Sequence, residues 1–239
     1  MNKLALFLSS VLIFMTAVYS AYAFRSGVFS PISSSFADSE LTVILDPGHG
    51  GFDGGATAVD GTAEKDFNLQ ISLILREYLE LYGFRVVMTR TEDASTDSVA
   101  DGTIRERKVD DIHNRLSLVN ETDNCILLSI HQNYFEDPSC CGTQVFYSAN
   151  TTQGKELAEA IQREIVSLLQ PENTRLVKSA GKEIYLLNNA QKPAVLVECG
   201  FISNRNDTIK LQDESYRKKI SFCIAKAVFD YYKNDRSTG

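Results

Sequence analysis

The feature that most constrains this chain is a glycine-rich segment directly after an apolar, β-branched run. Residues 41–44 (LTVI) are typical of a buried strand, and residues 45–55 (LDPGHGGFDGG) follow at once. Glycine permits tight turns and lets the backbone approach a ligand closely. His49 in this segment would be held by a stiff sheet with one side accessible, which suits a metal ligand. The commoner role of a lone histidine, capping a turn, is the alternative at this point.

Composition limits the class of protein. The 239 residues are enough for one α/β domain and a short extra segment. Apolar and charged fractions of 44% and 23% are typical of a globular protein. A formal net charge of −7 argues against nucleic acid as a partner. Only three histidines are present, so a metal site could draw imidazoles only from His49, His113 and His131.

Residues 1–23 are predicted to be a signal peptide or an N-terminal membrane anchor. They begin with the positive sequence MNK, continue with an almost entirely apolar run, and end with AYA, the small-x-small spacing of a cleavage site. The apolar run is also nearly long enough to span a bilayer, so an uncleaved anchor is the alternative to cleavage. Residues 24–40 are rich in serine and are predicted to be a linker. The remainder is expected to be exported and to act outside the cytoplasm, either secreted or attached to the membrane.

The five cysteines are predicted to be reduced and structural. Cys125, Cys199 and Cys223 lie in apolar runs that are typical of a protein core. Cys140 and Cys141 are adjacent, so a disulfide between them would be strained. An odd number of cysteines without a C-x-x-C pair indicates neither a full disulfide framework nor a zinc ribbon.

Strand and helix patterns alternate over residues 41–235, which predicts a single α/β domain. Apolar runs predict short strands at 41–44, 84–89, 125–130, 143–147, 183–187 and 194–197. Apolar residues at helical spacing predict helices over about 64–83, from 104, over 157–168 and over 213–232. This alternation predicts a mostly parallel, twisted sheet of about six strands with helices on both faces.

Three residues that can bind a metal or transfer a proton come directly after predicted strands. His49 follows the first strand, His131 follows the strand at 125–130, and Glu198 follows the strand at 194–197. Ligands of open α/β sheets bind beyond the carboxyl ends of the strands. We therefore expect these three side chains to lie close together.

Four blocks of sequence occur in a distinctive order. They are DPGHGG at 46–51, Glu64, SIHQN at 129–133 and VECGFISN at 197–204. In this order they resemble the zinc-dependent N-acetylmuramoyl-L-alanine amidases, and the similarity covers about residues 42–232. Those enzymes cleave the amide between the lactyl group of muramic acid and the first alanine of the stem peptide. The resemblance therefore implies that peptidoglycan is the substrate.

The resemblance also implies roles for individual residues. His49, Glu64 and His131 would bind one Zn²⁺ per chain, and Glu198 would be the catalytic acid–base. Two imidazoles and one carboxylate leave a fourth tetrahedral position for water, as in catalytic zinc sites. From the residues alone, Glu64 is also explained as a first-turn glutamate that interacts favourably with the helix dipole. His113 is predicted to be a helix residue that does not bind the metal.

Other polar residues are weaker candidates for substrate or metal binding. Asn133 could orient the loop after the second histidine or contact substrate. Arg90 and Arg115 are candidates for binding the carboxylates of a stem peptide, although a surface ion pair explains each equally well. Asp46 and Asp53 carry carboxylates that can bind metal, but Asp46 precedes a proline and is expected to brace the turn.

Among these amidases, the chain is most similar to the single-domain, sporulation-associated enzymes of the spore cortex. The similarity rests on the N-terminal hydrophobic segment, on DGT at 101–103 and on KPA at 192–194. It implies a role in sporulation and germination, as a first step towards muramic-δ-lactam, in the cell wall or the forespore intermembrane space. The alternative is a catalytically inactive or partner-dependent peptidoglycan-binding module with the same fold. An accessory protein is an open question at this stage.

Overall fold

A six-stranded sheet forms the centre of the structure, a computed structural model that describes residues 15–16, 40–99 and 101–238, with side chains to residue 233. The predicted signal peptide or anchor and the predicted linker fall almost wholly outside these residues. Within them, no helix combines the length and the apolar character needed to cross a membrane.

The sheet is parallel except at one position. Its strands are β1 (Thr42–Pro47), β2 (Arg85–Met88), β3 (Cys125–Asn133), β4 (Gln144–Tyr147), β5 (Lys178–Ser179) and β6 (Ala194–Phe201). Their spatial order is β2–β1–β3–β6–β4–β5, and only the β4–β6 pair is antiparallel. The prediction of a mostly parallel sheet of about six strands is confirmed.

Helices cover both faces of the sheet, as predicted. They are α1 (Glu64–Leu81), α2 (Ile104–Glu121), α3 (Thr152–Leu168), α4 (Tyr185–Asn189), α5 (Arg205–Gln212) and α6 (Glu214–Thr238). One buried apolar cluster joins the sheet to α1, α3 and α6, and a second joins it to α2 and α4. Burial on both faces explains why the central strands are apolar without interruption.

The strand period of two divides β3 between these clusters. Ile126, Leu128 and Ile130 belong to the cluster with α1, whereas Cys125 and Leu127 belong to the cluster with α2. Successive side chains of a strand point to opposite faces of the sheet. The alternation continues beyond the apolar part of the strand. The polar residues there therefore point in turn to the face that packs against α2 and α4 and to the face that packs against α1.

Helix α1 agrees with the helix predicted over about residues 64–83. Phe67, Ile71, Leu75 and Leu79 recur every four residues and are all buried. The helix ends before Gly83, whose φ of 87° is a left-handed conformation that glycine adopts without strain. The start of α1 lies beside the segment that follows β1, where Asn68 donates a hydrogen bond of 3.1 Å to the Gly48 carbonyl.

One predicted element was wrong and two elements were missing from the prediction. Residues 183–187 form no strand, because Tyr185–Asn189 is the short helix α4. Leu186 and Leu187 are buried, and an apolar run this short fits a strand or a helical turn equally well. The two-residue strand β5 and helix α5, which Asn204 caps with its side chain, were not predicted.

Candidate metal centre

His131 and Glu198 are neighbours across two paired strands. Strand β3 continues three residues beyond the predicted end, and β6 continues to Phe201, so both residues lie within strands rather than after them. His131 and Glu198 are direct register partners in the parallel β3–β6 pair. The ladder then shifts between His131 and Asn133, which marks a β-bulge beside the site.

The alternation of β3 and β6 determines which way these residues face. His131 is four residues after Leu127, and Glu198 is two residues after Leu196, so both continue the face that packs against α2 and α4. The apolar cluster on this face ends where the polar residues begin. A cleft opens at that point.

His49 lies on the turn after β1 and has a backbone φ of 61°. This conformation is uncommon for a residue with a side chain. Gly50 and Asp53 exchange two backbone hydrogen bonds of 2.9 and 3.0 Å that close the turn. A Cβ on Gly48 would lie 2.2 Å from the His131 ring, so only glycine allows the turn to pass this close to the second histidine.

Glu64 begins α1 and bridges the two histidines. Its Oε1 lies 3.0 Å from His131 Nδ1, and its Oε2 lies 3.3 Å from His49 Nε2. The same carboxylate accepts hydrogen bonds from the backbone N–H groups of Ala56, at 3.0 Å, and Gln132, at 3.2 Å. Its orientation is therefore determined from several directions.

The three predicted metal ligands thus form one cluster. One potential ligand atom from each of His49, Glu64 and His131 lies within 4.8 Å of the others. His113 is not in the cluster; its ring centroid is 5.4 Å from that of Tyr185, in agreement with the prediction that it is a helix residue. Two imidazoles and a carboxylate are a donor set that suits zinc.

Asp53 contacts the cluster from behind. Its Oδ2 lies 2.8 Å from His49 Nδ1, and its Oδ1 lies 2.8 Å from Lys108 Nζ on α2. A carboxylate on the far nitrogen of a ligating histidine determines which nitrogen faces the metal. Asp53 was expected only as a possible direct ligand. Its spacing of four residues from His49, inside a closed turn, is the signal in the sequence that indicates the contact with the ring instead.

The electrostatics of the cluster favour a shared cation. Burial by itself would lower the pKa of His49, but hydrogen bonds with Asp53 and Glu64 raise it to about 9. Burial would raise the pKa of Glu64, yet its contacts with both histidines hold that pKa far below its usual range. The Asp53 and Glu64 carboxylates therefore stabilise positive charge between the two histidines.

Glu198 differs from the cluster in both contacts and charge. Its Oε2 is buried and has no hydrogen-bond partner within the described part of the chain. Burial, together with the nearby Glu64 carboxylate, raises the pKa of Glu198 to about 8. A buried carboxyl group with an unsatisfied oxygen is costly, and such groups are concentrated at functional sites.

A cleft of about 400 Å³ joins these groups to solvent. His49, His131 and Glu198 line its inner end. Residues of α2, of the start of α4 and of the segment before α4 also line the cleft: Lys108, Asp111, Ile112, Glu183, Ile184, Tyr185 and Leu186. The cleft is therefore bounded by both polar and apolar side chains.

The three weaker candidates for substrate binding occupy different positions. Asn133 lies at the end of β3, where its carbonyl accepts a hydrogen bond from the Ile202 N–H. Arg90 and Arg115 are buried, with 5% and 2% of their surface exposed, beneath the His49 turn. Neither arginine forms a surface ion pair, which was the alternative explanation from the sequence. Asp46 braces the turn as expected, through a buried ion pair with Arg115.

Comparison with known proteins identifies the family of this chain. The profile of the family described as N-acetylmuramoyl-L-alanine amidase matches residues 43–230. The germination-specific N-acetylmuramoyl-L-alanine amidase of Bacillus subtilis (strain 168) is 35% identical over 192 residues, which are 80% of this chain and 79% of that protein.

Solved structures show the same fold. The CwlD amidase from Clostridioides difficile, solved in complex with the GerS lipoprotein, matches with a TM-score of 0.77 and 39% identity over 80% of this chain and 98% of that chain. An N-acetylmuramoyl-L-alanine amidase from Clostridium difficile 630 matches with a TM-score of 0.69 and 29% identity over 81% of this chain and 97% of that chain. The chain belongs to the N-acetylmuramoyl-L-alanine amidase family.

Proposed function

We propose that this amidase is zinc-dependent, that His49, Glu64 and His131 hold one ion, and that Glu198 is its catalytic acid–base. One observation carries the proposal: three ligand atoms within 4.8 Å of one another lie near Glu198, whose buried Oε2 has no hydrogen-bond partner among the residues that the structure describes. Two histidines and a carboxylate leave a coordination position open, which distinguishes catalytic from structural zinc.

The residues divide the work of amide hydrolysis between them. A zinc ion held by the cluster would polarise the scissile carbonyl and make water more acidic. Glu198 would accept a proton from the attacking water and deliver it to the nitrogen of the departing alanine, because an amine anion is a very poor leaving group. A pKa near neutrality suits a group that must both take and return a proton.

The cleft walls would hold the substrate on either side of the scissile amide. Tyr185 and Ile184 present an aromatic and an aliphatic side chain to the cleft, and Lys108, which is also ion-paired with Asp53, lines the cleft as well. Peptidoglycan combines sugar rings with a peptide that carries carboxylates, and such a mixed surface suits both parts. Asn133, at the end of β3, is a further candidate for a substrate contact.

We further propose that the substrate is spore-cortex peptidoglycan and that the reaction prepares muramic acid for conversion to muramic-δ-lactam. The germination-specific relative supports this role. Peptidoglycan lies outside the cytoplasmic membrane, so the enzyme would act in the cell wall or the forespore intermembrane space. The N-terminal segment would direct its export.

The structure of CwlD with a lipoprotein suggests an accessory protein for this chain as well. A catalytically inactive or partner-dependent peptidoglycan-binding module is the alternative function. An inactive module is expected to lose a metal ligand or Glu198, and this chain has all four residues. Dependence on a partner is compatible with a complete site.

Digestion of purified peptidoglycan tests the reaction. Residues 41–235, prepared with one equivalent of zinc, should release stem peptides whose new N-terminus is alanine, detected by mass spectrometry after amine labelling. Removal of zinc by a chelator should stop the release, and zinc but not magnesium should restore it. Glycan fragments without free alanine would contradict the proposal, and activity that appears only with an added lipoprotein would support the partner-dependent alternative.

Complementation tests the cortex assignment separately. The full chain is expressed in a Bacillus subtilis strain that lacks its germination-specific amidase, and the cortex is digested and analysed for muramic-δ-lactam. Restoration of the lactam by the wild-type chain, but not by Glu198→Gln, is the expected result. A chain that cleaves purified peptidoglycan but never restores the lactam would be an amidase with another role.

A further inference from the structure

Two buried arginines hold the backbone of the turn that carries His49. Arg90 donates hydrogen bonds to the carbonyl oxygens of Pro47, at 2.9 Å, and Gly48, at 3.1 Å. Arg115 donates to the carbonyl oxygens of Pro47, at 3.0 Å, and His49, at 2.9 Å. Three consecutive carbonyls therefore point at two guanidinium groups, which we call the arginine clamp.

The two arginines are anchored differently. Arg115 is ion-paired with Asp46 and Asp111, so its charge is compensated. Within the described ranges, no carboxylate lies within 4.0 Å of Arg90, whose remaining donors reach the carbonyls of Glu92 and Lys65, at 3.0 and 2.9 Å. Burying a cation that is bonded only to backbone carbonyls costs free energy of folding. What it stabilises in exchange is the set of segments whose carbonyls it binds.

The turn has little room to adopt another conformation. A Cβ on Gly50 would lie 2.8 Å from Arg90 Cδ and 2.3 Å from the carbonyl oxygen of Ala94. Lys65 adds a bond to the Gly51 carbonyl, at 2.8 Å, from α1. The left-handed φ of His49 is unfavourable by itself, and contacts of this kind are what maintain such a conformation.

We propose that Arg90 and Arg115 are positioning residues that hold His49 in its metal-binding orientation before any ion arrives, rather than contacts for substrate carboxylates. The donors of Arg90 go to backbone carbonyls, and those of Arg115 go to backbone carbonyls and to the Asp46 and Asp111 carboxylates. Arg115 borders the cleft, but both side chains are buried and already bonded within the protein. This inference rests on the proposed zinc site. It assigns the two arginines an effect on metal affinity that substrate-binding residues would not have.

Zinc affinity measured by competition with a chelator tests the clamp. Arg90→Lys and Arg115→Lys keep the charge but lose the planar fork, and each should raise the zinc Kd about 10- to 100-fold, the range for residues that orient metal ligands. Arg76→Lys, the same change at a half-buried arginine in the middle of α1 that contacts Met88 of β2, should leave the Kd within twofold. Ile161→Val, a core change in α3 remote from the turn, should lower stability towards urea without changing the Kd.

Cobalt substitution adds a readout of geometry. The visible absorption of the Co²⁺ protein should shift in the two clamp variants and stay unchanged in both controls. If folded Arg90→Lys and Arg115→Lys proteins bind zinc with the wild-type Kd and give the wild-type cobalt spectrum, the clamp does not position His49 and the inference is overturned.

Hydrogen exchange of the metal-free wild type keeps the test independent of variant folding. The amides of Gly48 and Gly50, which donate to Ile130 and Asp53 at 3.0 and 2.9 Å, should exchange as slowly as those of β1. Exchange at the rate of an unstructured peptide would overturn the inference. A wild type that shows protected amides but binds no zinc would instead contradict the proposed function and leave the clamp intact.

Discussion

His49 and His131 lie in the same cluster, but different interactions hold each of them in position. His131 lies inside β3, where the hydrogen bonds of two neighbouring strands set its position and the strand period sets its direction. His49 lies on a turn outside any strand, in a left-handed conformation, and side chains from distant parts of the chain hold it. One ligand depends on a regular ladder and the other on a few buried polar groups.

This difference has a physical consequence for mutation. A ladder has many equivalent backbone bonds, so the loss of one side chain leaves the strand in place. The turn has few bonds, and each comes from a particular residue, such as Asp53 or Arg90. We expect single substitutions around the turn to alter metal binding, and substitutions on the strands to alter the chemistry that their own side chains perform.

The largest effect is expected when a proposed metal ligand is removed, either on the turn or on the strand. His49→Ala and His131→Ala should each lose stoichiometric zinc and detectable amidase activity, because two protein ligands rarely hold a catalytic zinc. Metal content by atomic emission and stem-peptide release provide the measurements. His113→Ala is the matched control, and it should behave as wild type. Full zinc retention by either ligand variant would show that the cluster is not the metal site.

A smaller effect on activity is expected for substitution of Glu198, the residue of β6 that is not a proposed metal ligand. Glu198→Gln should keep one zinc per chain and lose activity by roughly 10²- to 10⁴-fold in kcat, because the amide cannot accept the proton. Glu183→Gln, an exposed residue on the cleft wall, is the control for a carboxylate lost without a proton-transfer role. Activity of Glu198→Gln within tenfold of wild type would remove Glu198 from the mechanism.

On the turn side, Asp53→Ala should weaken zinc binding by about 10- to 100-fold while the strands remain intact. The reason is that His49 loses the partner that holds its Nδ1 at 2.8 Å. Chelator competition measures the Kd, and Asp137→Ala, in another loop, is the control. An unchanged Kd in Asp53→Ala would mean that the closed turn alone orients the ring.

The smallest effect concerns the pH dependence of stability at the base of the turn. Burial would raise the pKa of Asp46, but Arg115 and hydrogen bonds from Ser129 and Thr89 lower it from 3.8 to about 2. Because the folded pKa is below the unfolded one, the ionised group stabilises the fold fully above about pH 4. This stabilisation, about 2 kcal/mol, is lost as the pH falls towards 2.

Urea unfolding of the metal-free protein at pH 5 and pH 3 measures this loss. The free energy of unfolding of the wild type should fall more steeply between these values than that of Asp46→Asn, which has no charge to lose. Equal slopes in the two proteins would show that the Asp46–Arg115 pair does not contribute to acid sensitivity.

Prediction from sequence succeeded where the local pattern carried the information. The apolar run before His131 indicated a strand covered on both faces, and the spacing after Glu64 indicated the buried face of α1. It failed at residues 183–187, because five residues of mixed apolar character do not distinguish a helical turn from a strand. It could not show that Arg90 and Arg115 are buried, since an arginine buried against backbone carbonyls has no local signature.

The sequence by itself determined the family, the alternating α/β order and the position of His49, Glu64, His131 and Glu198 beside the strands and the helix that carry them. These features follow from short-range patterns, namely strand and helix periodicity and glycine at a turn. Only the tertiary structure decided that the four side chains meet, that Glu198 Oε2 has no hydrogen-bond partner in the described part of the chain, and that two arginines hold the His49 turn. Such facts depend on strand register and on contacts between residues more than forty positions apart, which no local pattern specifies.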